Sequence, residues 1–142
     1  MEQRDFLKDQ IEQMGKVLAK VLADFFHLKN EGNVSEGVEI ANQHLREKID
    51  IDIEKLTGLN KAELKDYCMN RNLTADHLES LAEYLKEVGL AESSSDNKMA
   101  KAYWLKSIEL LEIANEISGA ISFKGLNRKS EIEGLLRDSE KS

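Results

Sequence analysis

The sequence predicts an all-α protein of five to six helices, two of them long, and three observations carry that prediction. Apolar residues recur at intervals of three and four along most of the chain, the period that keeps one side of a helix apolar. The 142 residues include no proline, so nothing forces a helix to break from within. One stretch, Ile49-Asp50-Ile51-Asp52-Ile53, alternates as a strand does, but no second stretch exists to pair with it.

The first helix runs from Asp5 to about Lys29. Its residues Leu7, Ile11, Met14, Leu18, Val21, Phe25 and Leu28 are separated by 4, 3, 4, 3, 4 and 3 positions. Val17, Leu22 and Phe26 widen the stripe, so the helix needs more than one neighbour and is expected to organise the core. Gly32 ends it, and Asn33 with Glu36 has the spacing of a capping box for the second helix. That helix, with Val38, Ala41, Leu45, Ile49, Ile53 and Leu56 on one face, is read through the isoleucine alternation to Gly58.

Asn60 and Glu63 repeat the capping spacing and open a short helix that turns Leu64, Tyr67 and Cys68 inward. Thr74 caps the next, where Leu73 is placed to staple onto Leu78, ahead of Leu81, Ala82, Leu85 and Val88. The polar run Glu92-Ser93-Ser94-Ser95-Asp96 reads as a loop before a second long helix from about Asn97 to Ser118. That helix carries apolar residues on two sides, and the two long helices are expected to form the core pair. Gly119 and Gly125 mark a loop, Ser130 opens a short piece with Ile132, Leu135 and Leu136, and residues 137–142 are read as a frayed tail to a single domain of 1–136.

Composition narrows the function classes. The formal charge of −7 works against binding a polyanion, and the nearest basic cluster in sequence, Lys124, Arg128 and Lys129, reads as a solvated loop. No nucleic acid is therefore expected as a partner. The single Cys68 rules out an internal disulfide and fits a reducing compartment. No run approaches the ~18 apolar residues of a membrane span, and the charged start MEQRDFLKDQ lacks the apolar core of a leader, so the expected location is cytoplasmic, with no membrane partner.

The fourth and fifth helices resemble a tetratricopeptide unit, an antiparallel helix pair. Leu81-Ala82 with Leu85 is similar to the first half of that motif, and Ala100, Trp104, Ser107 and Ile108 follow the spacing of its second half. Gly37, Ala41 and Leu45 place the first two helices in a looser version of the same pair. As a whole, residues 5 to 115 resemble an uncharacterised bacterial family of tetratricopeptide-like helical proteins. The resemblance implies antiparallel pairing and a bacterial, cytoplasmic setting, and it brings no catalytic residues with it.

Chemistry leaves few candidates. Asp24 and His27 share a helix face, and His77 lies near Glu79, but the repeated Glu-x-x-His pairs of a helical metal site are missing from the sequence. Cys68 sits where a small apolar filler is wanted. Ser93 to Ser95 lack the strand-to-helix turn that presents a nucleophile, and no phosphate-binding glycine loop is present. The expectation is no enzyme, no metal and no cofactor.

Partner binding is the remaining class, with Tyr84, Tyr103 and Phe26 as candidate contacts because aromatic residues anchor interfaces. The first helix also has the spacing of a coiled-coil seam, which offers a homodimer. The leading expectation is thus an interaction or adaptor module for a protein partner or itself. The alternative is a bundle that holds a small ligand between its long helices.

Overall fold

Three isoleucines separated by aspartates decide how the first half of the chain turns. The computed structural model describes residues 2–93, 96–119 and 123–141, and there the helix preceding this stretch stops at Ile49. Asp50 adopts a left-handed backbone with φ of 55°, and the amides of Asp50 and Ile51 both donate to the Leu45 carbonyl. Asp52 then caps a new short helix by accepting from the Lys55 amide at 3.2 Å. Ile49, Ile51 and Ile53 all end up buried, so the alternation is an inward and outward alternation met by a helix break instead of a strand.

With that break the described residues hold seven helices: α1 (Glu2–Asn30), α2 (Val34–Ile49), α3 (Ile53–Thr57), α4 (Lys61–Asn70), α5 (Ala75–Glu92), α6 (Asn97–Ser118) and α7 (Phe123–Lys141). No strand occurs among them. Ser94 and Ser95 of the expected loop lie outside the described residues, as do Met1 and Ser142.

The hub is α5, not α1. Every residue from Leu81 to Gly89 except Glu83 is buried, and α5 touches α6, α1 and α7. Its sequence, LESLAEYLKEVGLAE, has small or apolar residues on all sides, which is what an enclosed helix requires. The long helix α6 takes α5 as its principal neighbour, while α1 pairs mainly with α2. This corrects the expected pairing of the two long helices, because amphipathic spacing says which face is covered and not by what.

Small residues set the α5–α6 approach. Ser107 donates to the Ala82 carbonyl at 2.6 Å, and the Trp104 indole lies over Gly89 and donates to the Lys86 carbonyl at 3.2 Å. The buried Lys86 ammonium links helices through carboxylates, at 3.1 Å from Glu131 on α7, 3.4 Å from Glu83 and 3.6 Å from Glu87. Burial pulls its pKa down, but the hydrogen bond to Glu131 and the three negative charges outweigh that and hold it above the ordinary lysine value. Glu87 in turn meets Lys29 of α1 at 2.7 Å.

Two of the expected caps form as the sequence reads. Asn60 and Glu63 exchange both capping-box bonds, at 2.8 and 3.0 Å. Thr74 accepts from the His77 amide at 3.3 Å. Asn33 precedes α2 without a side-chain cap bond. Gly119 closes α6 with φ of 69°, whereas Gly125 lies inside α7. That helix is longer than the expected piece and continues from Phe123 through Lys141, with Ile132 buried and Asn97 donating to the Ser139 carbonyl at 3.4 Å. Among the described residues no helix is long and apolar enough to cross a membrane.

Candidate functional site

A single apolar cluster runs from Met14 on α1 to Ile132 on α7, and among the described residues no buried side-chain nitrogen or oxygen lacks a hydrogen-bond partner. A site therefore has to be sought on the surface, and the seam between α1 and α2 provides one.

α1 lays Met14, Leu18, Val21 and Phe25 against Gly37, Ala41, Leu45 and Ile49 of α2. At one end the helices touch closely, since a Cβ on Gly37 would lie 3.3 Å from Leu28 Cβ and 3.4 Å from the Phe25 ring. Further along, a hollow of about 460 Å³ opens above Val17 and Val21, walled by Lys16 and Lys20 of α1 and by His44 and Lys48 of α2. Gln13 and Lys48 also border a second hollow of about 780 Å³, which continues toward Phe6 and the Asp50 and Asn72 turns. Together they make one trough, with half-buried Val17 at its floor and Asp9, Glu47 and Asp50 along its second half.

The far wall of the trough is held rigidly. Asp50 and Asn72 both have left-handed backbones, with φ of 55° and 58°. Arg71 secures the first by donating to the Asp50 carbonyl at 2.5 Å, while its guanidinium lies 3.5 Å from the centre of the Tyr67 ring. The Tyr67 hydroxyl accepts from the Asp52 amide at 2.9 Å. At the mouth, every residue from Phe6 to Gln10 is exposed, and Phe6 is 72% uncovered.

The charge of this surface is mixed, with Lys16, Lys20 and Lys48 along the first hollow and Asp9, Glu47 and Asp50 beside Lys48 and Arg71 along the second. Lys20 pairs with Asp24 at 3.2 Å, but among the described residues Lys16 and Lys48 have no carboxylate within ion-pair distance. The basic cluster seen in sequence behaves differently. Arg128 meets Glu83 at 3.3 Å and Lys129 meets Glu112 at 3.4 Å, so those charges are engaged within the fold, on a helix and not a loop.

The three aromatic candidates do not line the trough. Tyr84 is only 1% exposed, edge-on to Phe25 at 5.3 Å, and its hydroxyl donates to Asn42 Oδ1 at 2.7 Å. Burial pushes its pKa up, and its position leaves no ring surface for a partner. Phe26 is half-buried with its ring 5.9 Å from Phe25 and the Lys29 ammonium 5.9 Å away. Tyr103 is half-buried on α6, its pKa raised by burial and then by the charges of Glu92 and Glu54.

The residues with possible chemistry are also accounted for. His27 lies 3.2 Å from Glu31, and Asp24 is taken by Lys20. Cys68 is fully buried, and burial pushes its thiol up to about 11, which keeps it protonated at neutral pH. His77 faces inward: Nδ1 accepts from the Thr74 amide at 3.1 Å, so Nε2 carries the proton and donates to the Ile11 carbonyl at 3.0 Å. Burial lowers its pKa and favours that neutral ring. Among the described residues no group of three or more His, Cys, Asp or Glu side chains is placed to hold a metal ion.

No family model, curated protein or solved structure matches the chain. The trough is not legible in sequence because its walls, on the consecutive helices α1 and α2, meet only when the chain folds back at Gly32. A signal was present: Lys16 and Lys20 are four apart, as are His44 and Lys48, which puts each pair one helical turn apart on one face.

Proposed function

We propose that this chain is a non-enzymatic interaction module that docks a segment of another protein in the trough between α1 and α2. The observation that supports this is the trough itself, with half-buried Val17 at its floor, Lys16 and Lys48 without carboxylate partners on its two walls, and exposed Phe6 at its mouth. Grooves that receive helices or extended segments combine an apolar floor with a charged rim in this way.

The same reading takes the helices as tetratricopeptide-like antiparallel pairs, α1 with α2 and α5 with α6, in a cytoplasmic bacterial setting. Two close approaches over glycine support the pairing, Gly37 beneath Phe25 and Gly89 beneath Trp104. The inert state of Cys68 and the structural engagement of His77 support the non-enzymatic part.

The test is selection of displayed random 16-residue peptides on the immobilised chain, followed by binding to two variants. Gln13 lines both hollows and is exposed, so Gln13→Trp obstructs the trough. Glu133→Trp places the same bulk on exposed α7. The expected result is enriched peptides that lose binding to Gln13→Trp and keep it to Glu133→Trp. Peptides that ignore Gln13→Trp, or no enrichment at all, refute the docking site.

A further inference from the structure

α7 lies along α6 and α5 with little apolar anchorage. Among its described residues only Gly125 and Ile132 are buried, with Leu135 and Leu136 half-buried, whereas α6 buries eight. Gly125 and Gly134 inside α7 lower its helix propensity, so the helix has little stability apart from its docking. Charge supplies much of the attachment. Arg128 meets Glu83 at 3.3 Å and donates to the Glu79 carbonyl at 3.2 Å, Lys129 meets Glu112 of α6 at 3.4 Å, and Glu131 meets Lys86 at 3.1 Å.

The charged partners on α5 and α6 do not depend on α7 alone. Lys86 is also 3.4 Å from Glu83 and 3.6 Å from Glu87, so both Lys86 and Glu83 keep an opposite charge when α7 is taken away. Glu112 likewise has Lys61 of α4 at 3.7 Å. What commonly locks a charge pair is the cost of leaving one ion buried and alone, and here that cost is relieved on the α5–α6 side. On the other side Arg128, Lys129 and Glu131 would pass into water, and Glu131 is already more than half exposed.

We infer that α7 is a releasable strap: it undocks from α5 and α6 as one unit while those helices stay folded, and its fasteners are the pairs Arg128–Glu83, Lys129–Glu112 and Glu131–Lys86. The α5–α6 seam is built differently, with the Trp104 indole packed over Gly89 and bonded to the Lys86 carbonyl, and it holds when the strap leaves. Release uncovers Glu83, Lys86 and Glu112 around the seat of Ile132, a surface hidden while α7 is docked. The inference does not rest on the trough, which lies on α1 and α2.

The experiment is amide hydrogen exchange on the full chain at neutral pH, resolved by nuclear magnetic resonance. The amides of α7 around Ile132 should exchange at nearly one common rate, at least about a hundredfold faster than those at the centres of α5 and α6. Raising the salt from about 50 to about 500 mM should accelerate α7 by about threefold or more as the fasteners are screened, with α5 and α6 unchanged. Arg128→Gln should accelerate α7 by about threefold at low salt, again without effect on α5 and α6. Glu133→Gln, at an exposed position of the same helix, should leave every rate as in the wild type.

Exchange of α7 as slow as that of α5 and α6 makes it an integral part of the core and overturns the inference. Rates that fall steadily inward from Lys141, with the Ile132 turn as protected as α6, show end fraying and overturn it too. Fast exchange of α7 that ignores both salt and Arg128→Gln, or Arg128→Gln loosening α5 together with α7, refutes the charge-fastened strap.

Discussion

Replacing Gly89 by alanine measures how closely α5 and α6 are locked together. A Cβ on Gly89 would sit 2.4 Å from Trp104 Nε1 and 2.8 Å from Cδ1, distances that carbon does not tolerate. The indole has little room to yield, being buried and tied through its N–H to the Lys86 carbonyl. Displacing it costs about 1–3 kcal/mol of overpacking. Loss of its hydrogen bond adds about 1–3 kcal/mol for a buried donor left unpaired. Alanine recovers about 1 kcal/mol over glycine in a helix interior. The balance is a destabilisation of about 3 kcal/mol, or about 9 °C in melting temperature for a chain of this size.

Urea unfolding followed by circular dichroism gives the free energy. The fluorescence of Trp104, the sole tryptophan, reports the packing directly. Gly134→Ala on α7 is the control, because a Cβ there meets nothing nearer than Arg137 Nη2 at 3.9 Å. It should stabilise by up to about 1 kcal/mol through helix propensity alone. A Gly89→Ala protein as stable as wild type, with unshifted Trp104 emission, would refute the close packing of α5 on α6.

The remaining predictions concern the core and the buried polar groups. Leu18→Ala should cost about 2–5 kcal/mol as a large-to-small core change, since Leu18 is buried in the packed cluster; near-normal stability on urea unfolding would instead favour a ligand space between the helices. The lowered pKa of His77 means that the unfolded chain takes up the proton more readily. Stability should accordingly be full above about pH 6.5 and fall as pH drops through the lowered folded value. In His77→Gln, which keeps an acceptor for the Thr74 amide, urea melts between pH 7.5 and 5.5 should show a flatter slope, and an unchanged slope would contradict the role of His77. Cys68 should react with Ellman's reagent only after denaturation, and rapid labelling of the folded chain would show that the thiol is not sealed.

Local signals in the sequence were legible where the physics is local. The Asn60 and Glu63 box and the Thr74 cap follow from side chains three residues apart, and the inward faces of α4 and α5 follow from helical period. The break at Asp50 was not legible, because a left-handed aspartate is sustained by Arg71, 21 residues away, and nothing near Asp50 announces that support. The central place of α5 was obscured by its two buried charges, Lys86 and Glu87, which look solvent-facing until Glu131 and Lys29 are brought to them. Tyr84 reads as an available anchor in sequence and becomes core only when Asn42 and Phe25 close over it. The trough belongs to the same class. Its two lysine and histidine pairs are visible separately, and only the apposition of α1 and α2 makes them one surface.

Amide hydrogen exchange on the full chain, with and without a peptide enriched by display on it, bears most directly on the docking account. Slowed exchange confined to residues 6–21 of α1 and 40–49 of α2 is the predicted result. Protection centred on α5, α6 or α7, with the α1–α2 seam unchanged, would contradict it.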